Sequence, residues 1–133
     1  MNPIHVRAAP GDVAPAVLLV GDPGRATRTA EFLDGARCYN EFRGLLGYSG
    51  SYRGARVSVQ TTGMGCPSAA IVCEEMAALG ARTLLFTNVV GTVNREFAPG
   101  ELMLATDHIN FIGRRGLFTP GELVERRAGR RVA

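Results

Sequence analysis

The sequence predicts one α/β domain with a mixed central β-sheet flanked by helices. Short apolar segments of strand length alternate with segments of helical periodicity, which is the order of elements in α/β proteins. Two of the strand-to-helix junctions, at 21–25 and 63–68, contain glycine, and open α/β sheets bind ligands at such junctions. The 133 residues, of which 46% are hydrophobic, are enough for one buried core.

The first strand and helix are marked by local signals. Residues 15–21 (PAVLLVG) form a short apolar run between turn-forming residues, which predicts a buried strand. Residues 25–33 place apolar side chains at helical spacing, with Asp22 as the expected N-cap and Pro23 in the first turn.

The middle of the chain predicts three more strands and a second helix. The strands are expected over 37–43, 46–53 and 56–62, and the last of these alternates with period two. The helix is expected over 67–79, with Gly80 at its C-terminal end.

Two apolar segments complete the predicted domain. Residues 83–90 form a continuous apolar run typical of strands covered on both faces, and 101–106 predict one further strand. We assign 1–113 to the domain and 114–133 to a basic, weakly structured tail with at most a short helix near 121–127.

The charge distribution argues against a nucleic-acid partner. The net charge of +3 arises in the tail, because residues 114–133 hold six arginines and two glutamates. The first 113 residues hold nine arginines and ten acidic residues, so the domain itself is not basic. No basic stripe is interleaved with stacking aromatic residues.

Composition also limits the compartment. No apolar run reaches the roughly eighteen residues that a membrane helix needs, and the N-terminus lacks the plan of a secretory signal. The three cysteines, Cys38, Cys66 and Cys73, form no CxxC pair. These features predict a cytoplasmic protein without a membrane partner.

The first candidate site is the junction Gly21-Asp22-Pro23-Gly24-Arg25. Amide groups at a helix N-terminus favour an anion, and Gly21 permits close approach of the backbone. Arg25 has a rigid fork of donors that suits phosphate. The alternative is an ordinary turn with Arg25 in solvent, and neither nucleotide fingerprint, GxxxxGK[ST] or GxGxxG, is present.

The second candidate site is the junction that contains Gly63, Met64 and Gly65. Two glycines around a flexible apolar side chain suit close contact with a ligand, with Met64 as a soft wall. The alternative places Met64 in the core. If the preceding strands are parallel, Gly21 and Gly63 line the same hollow.

Other residues with chemical potential have weaker support. Arg43 could serve an anion, although solvation is the commoner fate of such an arginine, and His5 stands alone in an N-terminal arm. Asp107 and His108 lack further ligands, so we expect no metal site. Cys66 has no histidine placed to activate it.

Together these segments resemble the hexameric, bacterial type of purine nucleoside phosphorylase. The resemblance rests on His5 and on the runs at 21–25 (GDPGR), 43–54 (RGLLGYSGSYRG) and 57–71 (VSVQTTGMGCPSAAI). It extends over roughly the first 80 residues. Uridine phosphorylases share much of this pattern and are the alternative within the same family.

The resemblance implies a nucleoside phosphorylase-like fold and a pentosyltransferase reaction. In that reaction inorganic phosphate, the co-substrate, attacks C1′ of a purine nucleoside and releases the base and a pentose 1-phosphate. No metal or organic cofactor is implied. The implied partners are nucleoside, phosphate and further copies of the chain, in a homo-oligomer whose sites are shared between subunits.

The resemblance also implies individual roles. Gly21 and Arg25 match the phosphate-binding turn, and Arg43 matches an arginine that reaches the phosphate of a neighbouring subunit. His5 matches the histidine that reaches the neighbour's ribose 5′-hydroxyl. Met64 matches the methionine that lines the ribose.

One segment departs from the hexameric pattern. Residues 86–91 lack the arginine and the hydroxyl that bind phosphate there, and resemble instead the trimeric branch of purine nucleoside phosphorylases, as does 101–110 (ELMLATDHIN). That branch implies a phosphate contact from the backbone N–H of Val89 and places Gly91 beside the nucleoside.

The resemblance leads us to expect a truncated chain. Family members continue beyond this length, and their general acid and ribose-binding Met-Glu segment have no match in 107–133. The catalytic residues are therefore unknown. The alternative function is an inactive or engineered fragment that binds phosphate or self-associates.

Overall fold

A computed structural model of the chain describes residues 3–106 and the backbone of residues 130 and 131. The chain divides into two compact units, Met1–Val89 and Val90–Ala133. Every candidate site residue except Gly91 belongs to the first unit, whose fold therefore positions the site.

A five-stranded mixed sheet forms the centre of the first unit, in the order β2-β3-β4-β1-β5. The central strand β1 (Ala16–Val20) is parallel to β4 (Ala55–Thr61) and to β5 (Thr83–Thr87). Strands β2 (Asp34–Asn40) and β3 (Gly47–Tyr52) continue the sheet as an antiparallel meander next to β4. The α/β class with a mixed central sheet is confirmed.

Two helices provide the layers on either side of the sheet. The helix α1 (Pro23–Ala30) packs through Ala26 and Ala30, and α2 (Cys66–Ala78) packs through Val72 and Met76. Because side chains of β1 alternate between faces, they divide the core in two. One half contains Val6, Val13, Val17, Leu19, Tyr39, Val72 and Met76. The other contains Val20, Ala26, Ala30 and Val59.

Several element boundaries differ from the sequence prediction. The strand predicted over 37–43 ends at Asn40, and Phe42–Gly44 forms a 3₁₀ turn instead. The reason is a backbone reversal, since Arg43 and Gly44 have φ values of 57° and 71°. The predicted strand over 83–90 ends at Thr87, and the helix predicted to reach residue 33 ends at Ala30.

The strand β5 is not covered as its apolar sequence predicted. Leu85 and Phe86 are 52% and 48% exposed, and in the described part of the chain β5 pairs on one edge alone, with β1. Apolar composition indicates that a strand prefers burial, but it does not specify which element covers the strand.

The second unit contains a short antiparallel pair. Strand β6 (Met103–Leu104) pairs with β7 (Arg130–Arg131), so the strand predicted over 101–106 is shorter than expected. The β7 residues belong to the segment 114–133 that we predicted to be weakly structured, and the helix predicted near 121–127 lies outside the described residues. In residues 3–106, neither helix is long and apolar enough to span a bilayer.

One carboxylate binds three successive backbone amides of the N-terminal arm, residues 4–6. Glu75, on the buried side of α2, accepts backbone N–H bonds from Ile4 (3.0 Å), His5 (3.0 Å) and Val6 (2.6 Å). Burial opposes ionisation of Glu75, but hydrogen bonds from the His5 side chain and from these three amides outweigh it. They lower the pKa of Glu75 to about 2.

Strand β3 needs glycine where it passes the buried pair Tyr39 and Gln60. The Tyr39 hydroxyl donates to Gln60 Oε1 at 2.9 Å, and burial raises the pKa of Tyr39. A Cβ at Gly47 would lie far inside van der Waals distance of the Tyr39 ring and of Gln60 Oε1. Because Gly47 has no side chain, Tyr39 and Gln60 can pack directly on the backbone of β3 and form their hydrogen bond there.

We predict that Gly47→Ala lowers the free energy of unfolding by about 1–3 kcal/mol, because the added methyl displaces two buried side chains. Urea unfolding followed by circular dichroism measures the change. Ser51→Ala, on the half-buried end of the same strand, is the matched control and is expected to remain near wild type. An unchanged midpoint for Gly47→Ala would contradict the packing described here.

We predict that Glu75 makes stability depend on pH in the acid range. The folded-state pKa of Glu75, about 2, lies below the ordinary value of 4.5. The ionised carboxylate therefore contributes its full amount to the free energy of unfolding above about pH 4.5. That contribution, about 3 kcal/mol from the shift, is lost as the pH falls through about 2. Urea unfolding between pH 5 and pH 2 should show a smaller loss for Glu75→Gln than for wild type. Glu74→Gln, at an exposed position, should retain the wild-type loss.

Candidate functional site

The two glycine-containing bends lie side by side at the carboxyl ends of β1 and β4. Because these strands are parallel, Gly21 and Gly63 leave the sheet at the same edge. The Thr62 N–H donates to the Val20 carbonyl at 2.8 Å. A Cβ at Gly21 would lie 3.6 Å from the Gly63 carbonyl oxygen. The predicted proximity of the two bends is confirmed.

The start of α1 offers fewer free donors than the sequence suggested. Asp22 is the N-cap, as predicted, and its Oδ1 accepts from the Gly24 N–H at 3.1 Å. Its carbonyl accepts from the N–H groups of Arg25 (3.1 Å) and Ala26 (3.2 Å). Asp22 thus already accepts from these helix amides, and anion binding at this turn through Gly21 and Arg25 stays a prediction.

Other amides at the same edge are available. Within residues 3–106, the N–H groups of Gly21 and Gly63 donate to no protein atom. The helix α2 begins after Gly65 without a side-chain cap, so the amides of its first turn also lack a capping acceptor. The amides without a described acceptor at this edge are therefore those of the two bends, rather than those of α1.

Arg25 adds an available positive charge. It is half-buried on the first turn of α1, and Thr29 Oγ1 donates to its carbonyl at 2.7 Å. Within residues 3–106, its guanidinium takes part in no hydrogen bond or ion pair. A cation without an internal partner, one turn from Gly21, has the chemistry that an anion site requires.

The second bend exposes its methionine. Met64 is 93% exposed, so the alternative that places it in the core is wrong. Gly63 has φ of +69°, and a Cβ there would lie 2.9 Å from Ser68 Oγ, a hydroxyl that donates to the Thr62 carbonyl. The bend is therefore shaped by glycine and leaves Met64 free to contact a ligand or another chain.

The segments that carry His5 and Arg43 are linked through Asn40 and Phe42, although the sequence separates them. Asn40 joins the arm to the end of β2, accepting from the Arg7 N–H (3.0 Å) and donating to the His5 carbonyl (3.3 Å). The Arg7 guanidinium lies over the Phe42 ring, 3.4 Å from its centroid, and that of Arg43 lies 5.6 Å from it. We call the set formed by His5, Arg7, Asn40, Phe42 and Arg43 the arm surface.

The backbone of Arg43 is strained. Its φ of 57° and ψ of 22° are left-handed, a conformation that costs a non-glycine residue roughly 1–2 kcal/mol. The side chain is exposed and gains its cation–π contact with Phe42 at 5.6 Å in return. Strain of this kind occurs often at functional sites, which keeps Arg43 among the candidates.

The two remaining candidates, Val89 and Gly91, are the ones that the trimeric branch implies. Val89 is 82% exposed, and its N–H donates to Asn88 Oδ1 at 2.9 Å, so the free amide implied by the resemblance is occupied. Breaking this local bond costs about 1 kcal/mol before Val89 can serve phosphate. Gly91 belongs to the second unit, and a Cβ there would meet nothing within 4 Å.

Glu75, which holds the His5 side chain, is the residue that the sequence analysis missed. It interrupts the buried stripe of α2 between Val72 and Leu79, at spacings of three and four residues. A carboxylate at such a position needs several donors, which was the available signal. The donors are in the arm, about 70 residues earlier in the sequence.

Metal ligation and thiol chemistry have no described basis. Residues 3–106 contain no group of three His, Cys, Asp or Glu side chains that could hold a metal ion, and Asp107 and His108 lie outside this range. The three cysteines are unpaired, and burial raises the pKa of the Cys73 thiol.

Comparisons with known proteins agree with this geometry. The relatives include purine nucleoside phosphorylases of the DeoD type from Geobacillus sp. (strain WCH70), 44% identical, and Streptococcus uberis, 47% identical. Each match extends over 104 residues, which is 77% of this chain and 44% of the relative. The chain thus spans less than half the length of these curated relatives.

Solved structures give the same assignment. Uridine phosphorylase from Vibrio fischeri ES114 superposes with a TM-score of 0.62 at 29% identity, covering 64% of this chain and 36% of that one. Purine nucleoside phosphorylase from Toxoplasma gondii in complex with immucillin-H superposes with a TM-score of 0.61 at 30% identity, covering 64% and 34%. The family model of the phosphorylase superfamily matches residues 15–131. This match covers most of the chain, which therefore belongs to the phosphorylase superfamily.

Proposed function

We propose that this chain serves the phosphorolysis of purine nucleosides. The observation that carries the proposal is the proximity of the Gly21 and Gly63 bends. Within residues 3–106, the N–H groups of both glycines and the guanidinium of Arg25, four residues after Gly21, have no hydrogen-bond partner. The purine preference is supported by the DeoD-type purine nucleoside phosphorylases at 44% and 47% identity.

The proposed chemistry uses the bends as the phosphate end of the site. A phosphate oxygen forms a bond to C1′ of the nucleoside while the bond from C1′ to the base nitrogen breaks. The transition state has the character of a sugar cation, as in glycoside hydrolysis. Phosphate held by Gly21 and Arg25 places its negative charge next to this developing positive charge. The products are the free base and a pentose 1-phosphate.

The nucleoside end of the proposed site uses Met64 and the arm surface. The exposed Met64 lines the ribose, while His5 and Arg43 serve the site of a neighbouring copy. The link between the His5 and Arg43 segments through Asn40 and Phe42 supports this proposal, because it holds the two segments in a fixed relation. The protein is thus proposed to be a homo-oligomer, to use phosphate as co-substrate without another cofactor, and to act in the cytoplasm.

A second candidate function is phosphate binding without turnover. It requires only the neighbouring Gly21 and Gly63 bends and the half-buried Arg25 on the helix that follows Gly21. Phosphorolysis and phosphate binding both use the Gly21 and Gly63 bends, and only phosphorolysis releases a free base.

We predict that phosphate stabilises the chain through Arg25. Phosphate at 100 times its dissociation constant should add about 2.7 kcal/mol of stability, seen as a rise in the thermal midpoint at constant ionic strength. Arg25→Ala should abolish the rise. Arg28→Ala, an exposed arginine on the same helix, is the matched control and should keep it. An equal rise in the Arg25 variant would remove Arg25 from the site.

We predict turnover of inosine with phosphate by the chain at high protein concentration, measured as hypoxanthine release. Arg25→Ala should lower kcat/KM for phosphate by roughly a hundredfold, the usual cost of losing one transition-state donor. Uridine should be the poorer substrate. Phosphate stabilisation without any hypoxanthine would reject the enzymatic proposal and leave the binding function.

A further inference from the structure

The His5 side chain is held by the same carboxylate that anchors its backbone. His5 Nδ1 lies 2.9 Å from Glu75 Oε1, in addition to the His5 N–H bonds of 3.1 Å and 3.0 Å to the two carboxylate oxygens. Ile4 and Val6 donate their N–H groups to the same two oxygens. One side chain of α2 therefore fixes both the path of the arm and the plane of the imidazole.

The chemistry of this contact determines the state of the ring. With a pKa of about 2, the Glu75 carboxylate is ionised at neutral pH and can only accept hydrogen bonds. A contact of 2.9 Å with Nδ1 therefore requires the proton on Nδ1. In the neutral ring, Nε2 then carries a lone pair, and within residues 3–106 it has no hydrogen-bond partner.

We propose that Glu75 is the positioning residue for His5: it holds the neutral imidazole in the Nδ1–H tautomer and presents Nε2 as an acceptor for a hydroxyl donor. This inference rests on the proposed function, in which His5 meets the ribose 5′-hydroxyl of a nucleoside. The tautomer gives that contact a direction, with the hydroxyl donating to Nε2.

The side-chain bond is separable from the anchoring of the arm. Anchoring uses backbone amides, which any residue except proline would supply at position 5, whereas the bond to Nδ1 exists only with histidine. The ring is partly accessible, with 25% of the His5 side chain exposed against 9% of the Glu75 side chain. The buried carboxylate thus lies behind the ring, and the solvent side remains open to a ligand.

The decisive experiment reads the tautomer directly in the ¹⁵N-labelled full chain by long-range ¹H–¹⁵N correlation near pH 9, where imidazole side chains are generally neutral. The chain has two histidines, so His108→Gln assigns the His5 signals. We expect the Nδ1–H form to exceed the Nε2–H form by roughly tenfold or more, the preference of a hydrogen bond to a charged acceptor. Glu75→Gln should reduce this preference severalfold, and Glu74→Gln should preserve it.

A predominant Nε2–H form in the wild-type chain overturns the proposal, and so does a preference that survives in a folded Glu75→Gln variant. The wild-type reading decides the matter even if that variant does not fold. Neither reading depends on turnover, so failure of the proposed function would be seen separately, as an absence of hypoxanthine.

Activity tests the positioning role through a double-mutant cycle. His5→Ala and Glu75→Gln should each lower kcat/KM for inosine by roughly three- to tenfold, the contribution of one hydrogen bond. If Glu75 acts through His5, the double variant is no slower than His5→Ala alone. If the loss of kcat/KM in the double variant equals the product of the two single losses, Glu75 does not act through His5.

Discussion

The parallel pairing of β1 with β4 is the constraint on which the candidate site depends. Parallel neighbours end at the same edge of a sheet, so the two bends that follow these strands are brought together although about 40 residues separate them. The antiparallel meander β2-β3 has no such effect, because its connections alternate between edges. The register of one pair of strands thus decides whether Gly21 and Gly63 can share a ligand.

The second constraint is the buried carboxylate of Glu75. Placing a charge against the core is costly unless donors surround it, and here the donors are three backbone amides and one imidazole. The arm is therefore not a loose terminus. Its amides are held in place because they donate hydrogen bonds to Glu75 of α2. Asn40, which precedes the turn that carries Arg43, also bonds the arm at Arg7 and His5.

Local signals in the sequence predicted much of the fold. The β1–α1 junction, with Asp22 as the N-cap, and the helix over 67–79 depend on neighbours within a few positions, and both predictions are confirmed. The features that the sequence did not reveal depend on distant residues or on backbone geometry. They include the left-handed backbone of Arg43, the exposure of β5 and the bond of Glu75 to His5. The capture of the α1 amides by Asp22 was foreseeable, since a residue that caps a helix also competes with an anion there.

The open edge of β5 has a consequence for handling the protein. Its segment Thr83–Thr87 contains three large apolar side chains, no charge and no proline, and in the described part of the chain its outer edge carries unpaired backbone groups. Such edges template strand-to-strand aggregation between molecules. Arg82, which is exposed immediately before the strand, is the charged residue placed to oppose it. We therefore expect electrostatic repulsion at this edge to oppose association during concentration and storage, and added salt to weaken that protection.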